Sequence, residues 1–181
     1  MNKGIGSLLR GILSDIRVEM GDEFDKNFER QGFFSEAWQR RKSPMRSGGS
    51  ILMDTGALRR SIKSRSTGEG ITFYSELPYA GIHNEGGNLK VTRKMKSYFW
   101  HRYYATEEAF GRKKNGEKRN TKKNRRLEGE AEFWKAMALM KEGEAIKIPR
   151  RRFLGFAPEV EKTVREIIEE NLEEYFNSEK I

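Results

Sequence analysis

Residues 51–87 constrain the fold most, because nearly every position of ILMDTGALRRSIKSRSTGEGITFYSELPYAGIHNEGG has an identifiable local role. A side-chain oxygen of Asp54 or Thr55 can accept a hydrogen bond from a first-turn amide and so cap a short helix. Leu58 and Ile62 are four residues apart, which predicts that they share the buried face of this helix. The segment therefore begins with a capped helical turn.

The second half of this segment changes to alternating apolar and polar residues. This spacing predicts strands at about 62–66 and 71–77, joined by a glycine-containing turn at 67–70. Pro78 cannot donate to a strand ladder and should end the second strand, after which residues 79–83 suit one helical turn. The sequence therefore predicts a helix followed by a hairpin and a compact corner.

Apolar residues recur at helical spacing at both ends of the chain. The pattern predicts a helix over about 3–30, although Gly11 and Gly21 each weaken it, and a second helix from Pro158 to near Phe176. We expect an α+β fold, in which both helices pack on one antiparallel sheet of about four strands. The predicted strands are 62–66, 71–77, 89–93 and 145–148.

The residues between the last two predicted strands form an insertion at about 94–145. It contains an aromatic cluster at 98–104, the basic tract RKKNGEKRNTKKNRR at 112–126 and a short amphipathic helix at 130–140. The basic tract offers no apolar side chain for burial, so ordering it would cost conformational entropy without compensation. We therefore expect a flexible basic loop at 111–128.

The net charge of +9 comes almost entirely from the basic tract, which holds nine Lys or Arg and one acid and leaves +1 for the remainder. Such a local charge indicates either a solvated loop or a contact with an anionic partner. The partner could be nucleic acid, which aromatic and basic side chains can bind together, or the glutamate-rich face of the C-terminal helix in a neighbouring copy. The residues concerned are Arg112, Lys113, Lys114, Lys118, Arg119, Lys122, Lys123, Arg125 and Arg126.

We predict that residues 31–50 form a linker. It starts with an aromatic group, Phe33, Phe34 and Trp38, and ends in the serine, proline and glycine cluster at 43–50. The aromatic side chains either cover one end of the core or anchor a neighbouring subunit. We favour the core as the simpler interpretation. The glycine-serine tract is too short to indicate a separate domain, so we expect a single domain over residues 1–181.

The residue types exclude several functions. The chain has no cysteine and only two histidines, distant in sequence, so we expect no disulfide, no metal site, no cofactor and no enzymatic activity. The cluster His83-Asn84-Glu85 lacks a second histidine at helical spacing, and Ser61 lies outside a nucleophile motif, so we expect a structural histidine that is hydrogen-bonded near the hairpin. No run is apolar enough to cross a membrane and no signal-peptide core is present, which predicts a soluble product of the cytoplasm.

Three ordered blocks of residues stand out along the chain. They consist of Asp54, Thr55, Gly56, Leu58 and Ser61; of Tyr79, Ala80, His83, Gly86 and Gly87; and of Pro149, Phe153, Leu154 and Gly155. Together they resemble the virion morphogenesis or tail-completion family of Mu-like tailed phages and prophages, and the similarity covers about residues 2–93 and 146–177. The resemblance implies a non-enzymatic virion protein that is assembled in the bacterial host cytoplasm and acts at the head–tail junction or at the end of the tail tube. The implied partners are further copies of itself in a ring and other head–tail or tail-tube proteins, and the basic tract separately suggests genomic DNA as a partner.

Overall fold

The structure, a computed structural model, describes residues 4–41, 49–68 and 70–178. The chain divides into two compact units, which we call the first unit (residues to 39, 50–85 and from 150) and the second unit (40–49 and 86–149). Most of the predicted linker cluster at 43–50, and Glu69 of the predicted hairpin turn, lie outside the described residues.

The described elements, in chain order, are six helices and six short strands. The helices are α1 (Ile5–Arg30), α2 (Ala57–Arg60), α3 (Ala80–Glu85), α4 (Arg93–Glu108), α5 (Lys122–Leu139) and α6 (Pro158–Ser178). The strands are β1 (Gly32–Phe33), β2 (Glu36–Ala37), β3 (Ile62–Thr67), β4 (Gly70–Ser75), β5 (Gly87–Lys90) and β6 (Ala145–Ile148).

Helix α1 supports the first unit, and it confirms the predicted N-terminal helix as one unbroken element. Met20, Phe24 and Phe28 recur every fourth residue and are all buried. Phe24 and Met20 pack with Phe33 and Ala157, while the side chains of Val160 and Val164 on α6 cover this cluster from the outside. Both predicted long helices thus contribute to one core, and α6 runs to Ser178, slightly beyond its predicted end.

A second cluster of the first unit surrounds Phe28, whose ring centroid lies 5.6 Å from that of Trp38 and 5.4 Å from that of Phe153. Ile51, Leu58 and Ala80 also belong to this cluster. Ile62 packs against it, but from strand β3 and not from the face of α2 on which it was predicted. Burial of Phe33 and Trp38 confirms that the aromatic group after α1 belongs to the core.

The prediction of one four-stranded sheet is wrong, because the strands form three separate two-stranded antiparallel sheets. Strand β3 pairs with β4 from Ile62↔Ser75 to Thr67↔Gly70, and β5 pairs with β6 from Gly87↔Ile148 to Lys90↔Ala145. Strand β5 has no buried residue and β3 has only a half-buried first residue, so neither offers the apolar face by which a larger sheet would pack.

The strand predicted at 89–93 also ends early, at Lys90, since Thr92 caps helix α4. The Thr92 side chain accepts a hydrogen bond from Met95 N at 3.2 Å. A side-chain cap of this kind satisfies an amide of the first helical turn and therefore favours helix over strand from Arg93 onward. The predicted aromatic cluster at 98–104 consequently lies on a helix.

Helices α4 and α5 form the core of the second unit. Lys96 Nζ donates to Met140 O at 2.5 Å, Phe99 stacks on Trp134 at 5.9 Å, and Arg102 Nη2 lies 3.3 Å from Glu130 Oε1, so the two helices run antiparallel. Helix α5 is longer than the helix predicted at 130–140. Residues 122–128, which we expected in a loop, form its first turns.

The short helix α2 is held on α1 by charge. The Arg59 guanidinium donates to both Asp25 and Glu29, and its hydrogen bonds hold the pKa of Asp25 below the ordinary value. We predicted Asp54 or Thr55 as the capping residue of this helix, but the capping position is occupied by Gly56, with φ +71°. Thr55 still contributes, because its Oγ1 accepts a hydrogen bond from Ala57 N at 3.3 Å.

Replacement of Phe28 tests the core of the first unit. We expect Phe28→Ala to lower the free energy of unfolding by about 3–5 kcal/mol, since the ring is fully buried between two aromatic neighbours. The matched control is Phe156→Ala, whose ring is exposed and which should change stability by less than about 0.5 kcal/mol. Chemical denaturation measures both, and equal effects would contradict the assignment of Phe28 to the core.

Candidate functional site

The three sequence blocks meet in the first unit at one apolar cluster. Leu58 from the first block, Ala80 from the second and Phe153 from the third are all buried there, and Leu154 packs against them. The blocks are distant in sequence, so their residues share the task of closing the core around Phe28. The three blocks therefore meet in the packed core and, in the part of the chain that the structure describes, do not line a cleft.

The third block crosses this cluster as an irregular segment, residues 151–154, whose backbone is held from both sides. Asn84 Oδ1 accepts from Phe153 N at 2.9 Å and from Leu154 N at 3.0 Å, and Asn84 Nδ2 donates to Leu154 O at 3.0 Å. His83 O accepts from Arg151 N at 2.8 Å. A single side chain on α3 thus replaces the pairing that a neighbouring strand would supply.

Two further side chains donate to carbonyl groups of the same segment. Trp38 Nε1 donates to Arg152 O at 2.6 Å, and Asn27 Nδ2 donates to Phe153 O at 3.4 Å. Asn27 is fully buried on α1, and its Oδ1 accepts from Phe34 N at 2.9 Å. The segment therefore remains irregular without leaving these backbone groups unpaired.

Sequence reasoning missed both asparagines as structural residues. Asn27 precedes Phe28 and lies three residues after Phe24, so it falls on the apolar face of a helix that was predicted correctly. A short polar residue at such a place signals a specific buried hydrogen bond. Asn84 gave no comparable signal, because its partners lie about 70 residues further along the chain.

His83 is half-buried on α3, where the edge of the Tyr79 ring lies against it with a centroid distance of 6.0 Å. We expected its side chain to be hydrogen-bonded, but Nδ1 is buried and has no hydrogen-bond partner among the residues that the structure describes. Burial, together with the positive charge of Arg151, lowers the pKa of His83 below the ordinary value of 6.5. The neutral imidazole is therefore the form that suits the folded protein.

The small and polar residues of the blocks serve turns. Gly155 has φ +142°, and a Cβ added there would lie 2.5 Å from Arg152 Nη2, so glycine is required. Ser61 Oγ donates to Leu58 O at 2.7 Å, which fastens the end of α2. The other residues of this kind are Asp54 in the bend before α2, Gly86 with φ +72°, Gly87 at the start of β5 and Pro149 after β6.

The nine basic residues of the tract, here called the basic surface, are placed on an ordered scaffold in the second unit. Asn124 is buried, with Oδ1 accepting from Gly111 N at 3.0 Å and Nδ2 donating to Gly111 O at 2.8 Å and Arg119 O at 2.7 Å. Arg112 and Lys118 form an antiparallel bridge. This asparagine gives the tract backbone hydrogen bonds that the sequence analysis did not anticipate. The predicted mobility of the tract stays a prediction.

Three cations of the basic surface have carboxylate partners. Lys118 lies 3.1 Å and Arg112 3.8 Å from Glu107, and Lys113 lies 3.0 Å from Glu117. The other six have no carboxylate within 4.0 Å in the described part of the chain, and all six are exposed. They are Lys114, Arg119, Lys122, Lys123, Arg125 and Arg126.

Four of these unpaired cations lie on the first two turns of α5. Lys122, Lys123, Arg125 and Arg126 stand at the end of the helix where the backbone dipole is positive, and no acidic residue is present in its first turn. Cations at this end are destabilising, whereas acids there stabilise a helix. These four cations of the basic surface therefore carry an electrostatic cost that no carboxylate among the described residues relieves.

Helix α6 carries the opposite charge, in five exposed glutamates that we call the acidic face. Glu166 lies 3.6 Å from Lys162, but Glu169, Glu170, Glu173 and Glu174 have no cation within 4.0 Å among the residues that the structure describes. These four lie in the C-terminal half of the helix, towards the negative end of its dipole, and like charges four residues apart repel. Four of the five carboxylates of the acidic face thus have no counter-ion in the described part of the chain.

The aromatic cluster predicted at 98–104 lies on α4 and has a buried part and an exposed part. Phe99 is buried against Trp134, whereas Tyr104 is exposed and stacks on Trp100 with a centroid distance of 5.8 Å. The buried part packs within the second unit.

Among the described residues, no three His, Cys, Asp or Glu side chains are grouped so that they could hold a metal ion. None of the helices that the structure describes combines the length and the hydropathy that a bilayer crossing requires.

The fold and its surfaces define an α+β protein whose sequence blocks build a core and whose uncompensated charges lie on two exposed helical surfaces. The chain matches the Phage virion morphogenesis family over residues 10–173 and belongs to that family, which confirms the resemblance and gives the protein a structural role in phage morphogenesis. The match also runs through the insertion, beyond the ranges expected from the blocks alone. Comparison with curated proteins and with solved structures gave no match.

Replacement of Asn84 tests how the third block is held. We expect Asn84→Ala to lower the free energy of unfolding by roughly 1–3 kcal/mol, because two amides and one carbonyl of residues 153 and 154 lose their partner. Asn177→Ala, at an exposed position of α6, is the control and should stay within about 0.5 kcal/mol of the wild type. Equal stability of the two variants in urea would show that water replaces the Asn84 side chain.

The lowered pKa of His83 predicts a pH dependence of stability. The unfolded chain binds the proton at a higher pH than the folded protein does, so stability should be complete above pH 6.5 and should decline as the pH falls through that value towards the lower pKa of the folded state. His83→Gln should remove this part of the slope. The control, His101→Gln, replaces the exposed histidine of α4 and should keep the pH dependence of stability. Denaturation curves recorded across pH measure both variants.

Proposed function

We propose that this protein completes the phage tail or joins the head to the tail, and that it works as a homo-oligomeric ring within the virion. The observation that carries this proposal is membership of the Phage virion morphogenesis family over nearly the whole chain. In this proposal the protein is made and assembled in the host cytoplasm and acts as a tail terminator or connector, with other head–tail or tail-tube proteins as its partners.

The placement of the sequence blocks supports a non-catalytic role. Leu58, Ala80 and Phe153 are used in the core, and Asn84 is engaged with backbone groups. His83 lies against Tyr79 with a buried Nδ1, which does not suit the transfer of protons to a substrate. The side chains of the blocks thus give the chain its shape, and we propose that contacts with other proteins provide its function.

The charged surfaces support assembly with further copies. A ring that closes by rotation joins two different surfaces of each subunit, in contrast to a two-fold dimer, which joins one surface to itself. The chain presents two such surfaces, the basic surface on the second unit and the acidic face on the first unit. Every copy therefore carries two different surfaces, as a ring contact requires, and the two are oppositely charged.

Deletion of the gene from a phage or an inducible prophage tests the proposed function. We expect separate heads and tails, or tails of irregular length, in place of complete particles in electron micrographs, because a terminator or connector is required once per particle. Supply of the protein in trans should restore complete particles. Normal particles without the gene would refute the proposal, and localisation by cryo-electron microscopy would distinguish the head end from the tail end.

A further inference from the structure

We infer that the acidic face of one copy docks on the basic surface of the next copy, with α6 of the first lying against the N-terminal turns of α5 of the second. This inference rests on the proposed function, since it names the contact by which the copies would associate. It assigns one partner to two surfaces on which most charges have no counterpart among the residues that the structure describes.

The two surfaces match in number and spacing. Lys122, Lys123, Arg125 and Arg126 form two adjacent pairs about one turn apart on α5, and Glu169, Glu170, Glu173 and Glu174 do the same on α6. At a rise of about 1.5 Å per residue the two groups extend roughly 6 Å and 7.5 Å along their helices. The four carboxylates can therefore face the four cations along one short contact.

The helix dipoles make the same contact favourable. Cations stand at the positive end of α5 and carboxylates lie in the half of α6 that leads to its negative end, so each group opposes the dipole of its own helix. Docking brings each group close to charges of the opposite sign. The contact thus relieves an unfavourable arrangement in both helices.

Nucleic acid is the rival partner for the basic surface, because phosphates would also neutralise its six unpaired cations. The segment 86–149 holds 17 Lys or Arg against eight acids, which suits a polyanion as well. DNA, however, would leave the acidic face of α6 without a counterpart. A second copy accounts for both surfaces by one contact, and we therefore argue for the copy.

The test is a reciprocal exchange of charge. The α5 variant carries Lys122→Glu, Lys123→Glu, Arg125→Glu and Arg126→Glu, and the α6 variant carries Glu169→Lys, Glu170→Lys, Glu173→Lys and Glu174→Lys. Each exchange places on its helix the charge that the dipole favours, so both variants should fold, which circular dichroism checks. The control for the α5 variant applies the same charge change to exposed lysines elsewhere on the second unit, as Lys90→Glu, Lys94→Glu, Lys135→Glu and Lys147→Glu.

Sedimentation velocity then compares the proteins across a salt series. We expect the wild type and the control to associate at low salt and less at high salt, since screening weakens exposed charge pairs. Each variant alone should stay monomeric, because both of its surfaces carry the same sign. An equimolar mixture of the two variants, and a chain that carries both exchanges, should associate again.

Other results would overturn the inference. If both variants associate as the wild type does, the docking contact lies elsewhere, although the proposed ring can still stand. If the α5 variant associates normally but no longer shifts labelled duplex DNA, the basic surface is a nucleic-acid site.

If the isolated wild type does not associate, particle yield in the host decides. Each variant alone should then fail to restore complete particles, and co-expression of the two should restore them. Full yield from either variant alone, or no gain on co-expression, would reject the contact. Complete particles from a phage without the gene would instead reject the proposed function.

Discussion

The first unit depends on the way in which residues 151–154 cross its core. This segment is irregular and carries the buried ring of Phe153, so its amides and carbonyls must find partners away from water. Asn84, Asn27 and Trp38 supply them, from α3, α1 and the chain after α1. Three distant parts of the sequence are thereby fixed around Phe28, which explains why the sequence blocks occur far apart and still act together.

Charged side chains are used in two different ways. Arg59 of α2 is used inside the first unit, where it pairs with Asp25 and Glu29 of α1. By contrast, most cations of the basic tract in the second unit, and the glutamates after Glu166 on α6 of the first unit, are exposed and have no oppositely charged partner among the described residues. Charges that are retained against the local helix dipole favour contacts with other molecules over stability of the single chain.

The long helices and the β3–β4 hairpin could be predicted from sequence, because their signals are local. Met20, Phe24 and Phe28 repeat every fourth residue, and the alternation before and after Thr67 requires only neighbouring residues to pair. The arrangement of the strands into sheets could not be predicted from such local signals, since strand pairing across a long insertion depends on which faces become buried. The helical start of α5 within the basic tract was missed for a related reason: the tract was searched for apolar residues, whereas the buried residue that pairs with its backbone is an asparagine.

The sequence by itself determined the helices at the two ends of the chain, the hairpin, the location of the excess charge and the resemblance to a phage morphogenesis family. Each of these follows from neighbouring residues or from ordered blocks. Only the tertiary structure decided that Asn27 and Asn84 hold the third block, that His83 is left with an unpaired buried nitrogen, and that the basic tract starts a helix. The physical reason is that burial and hydrogen-bond partners belong to the packed chain, whereas periodicity and composition are properties of each local stretch.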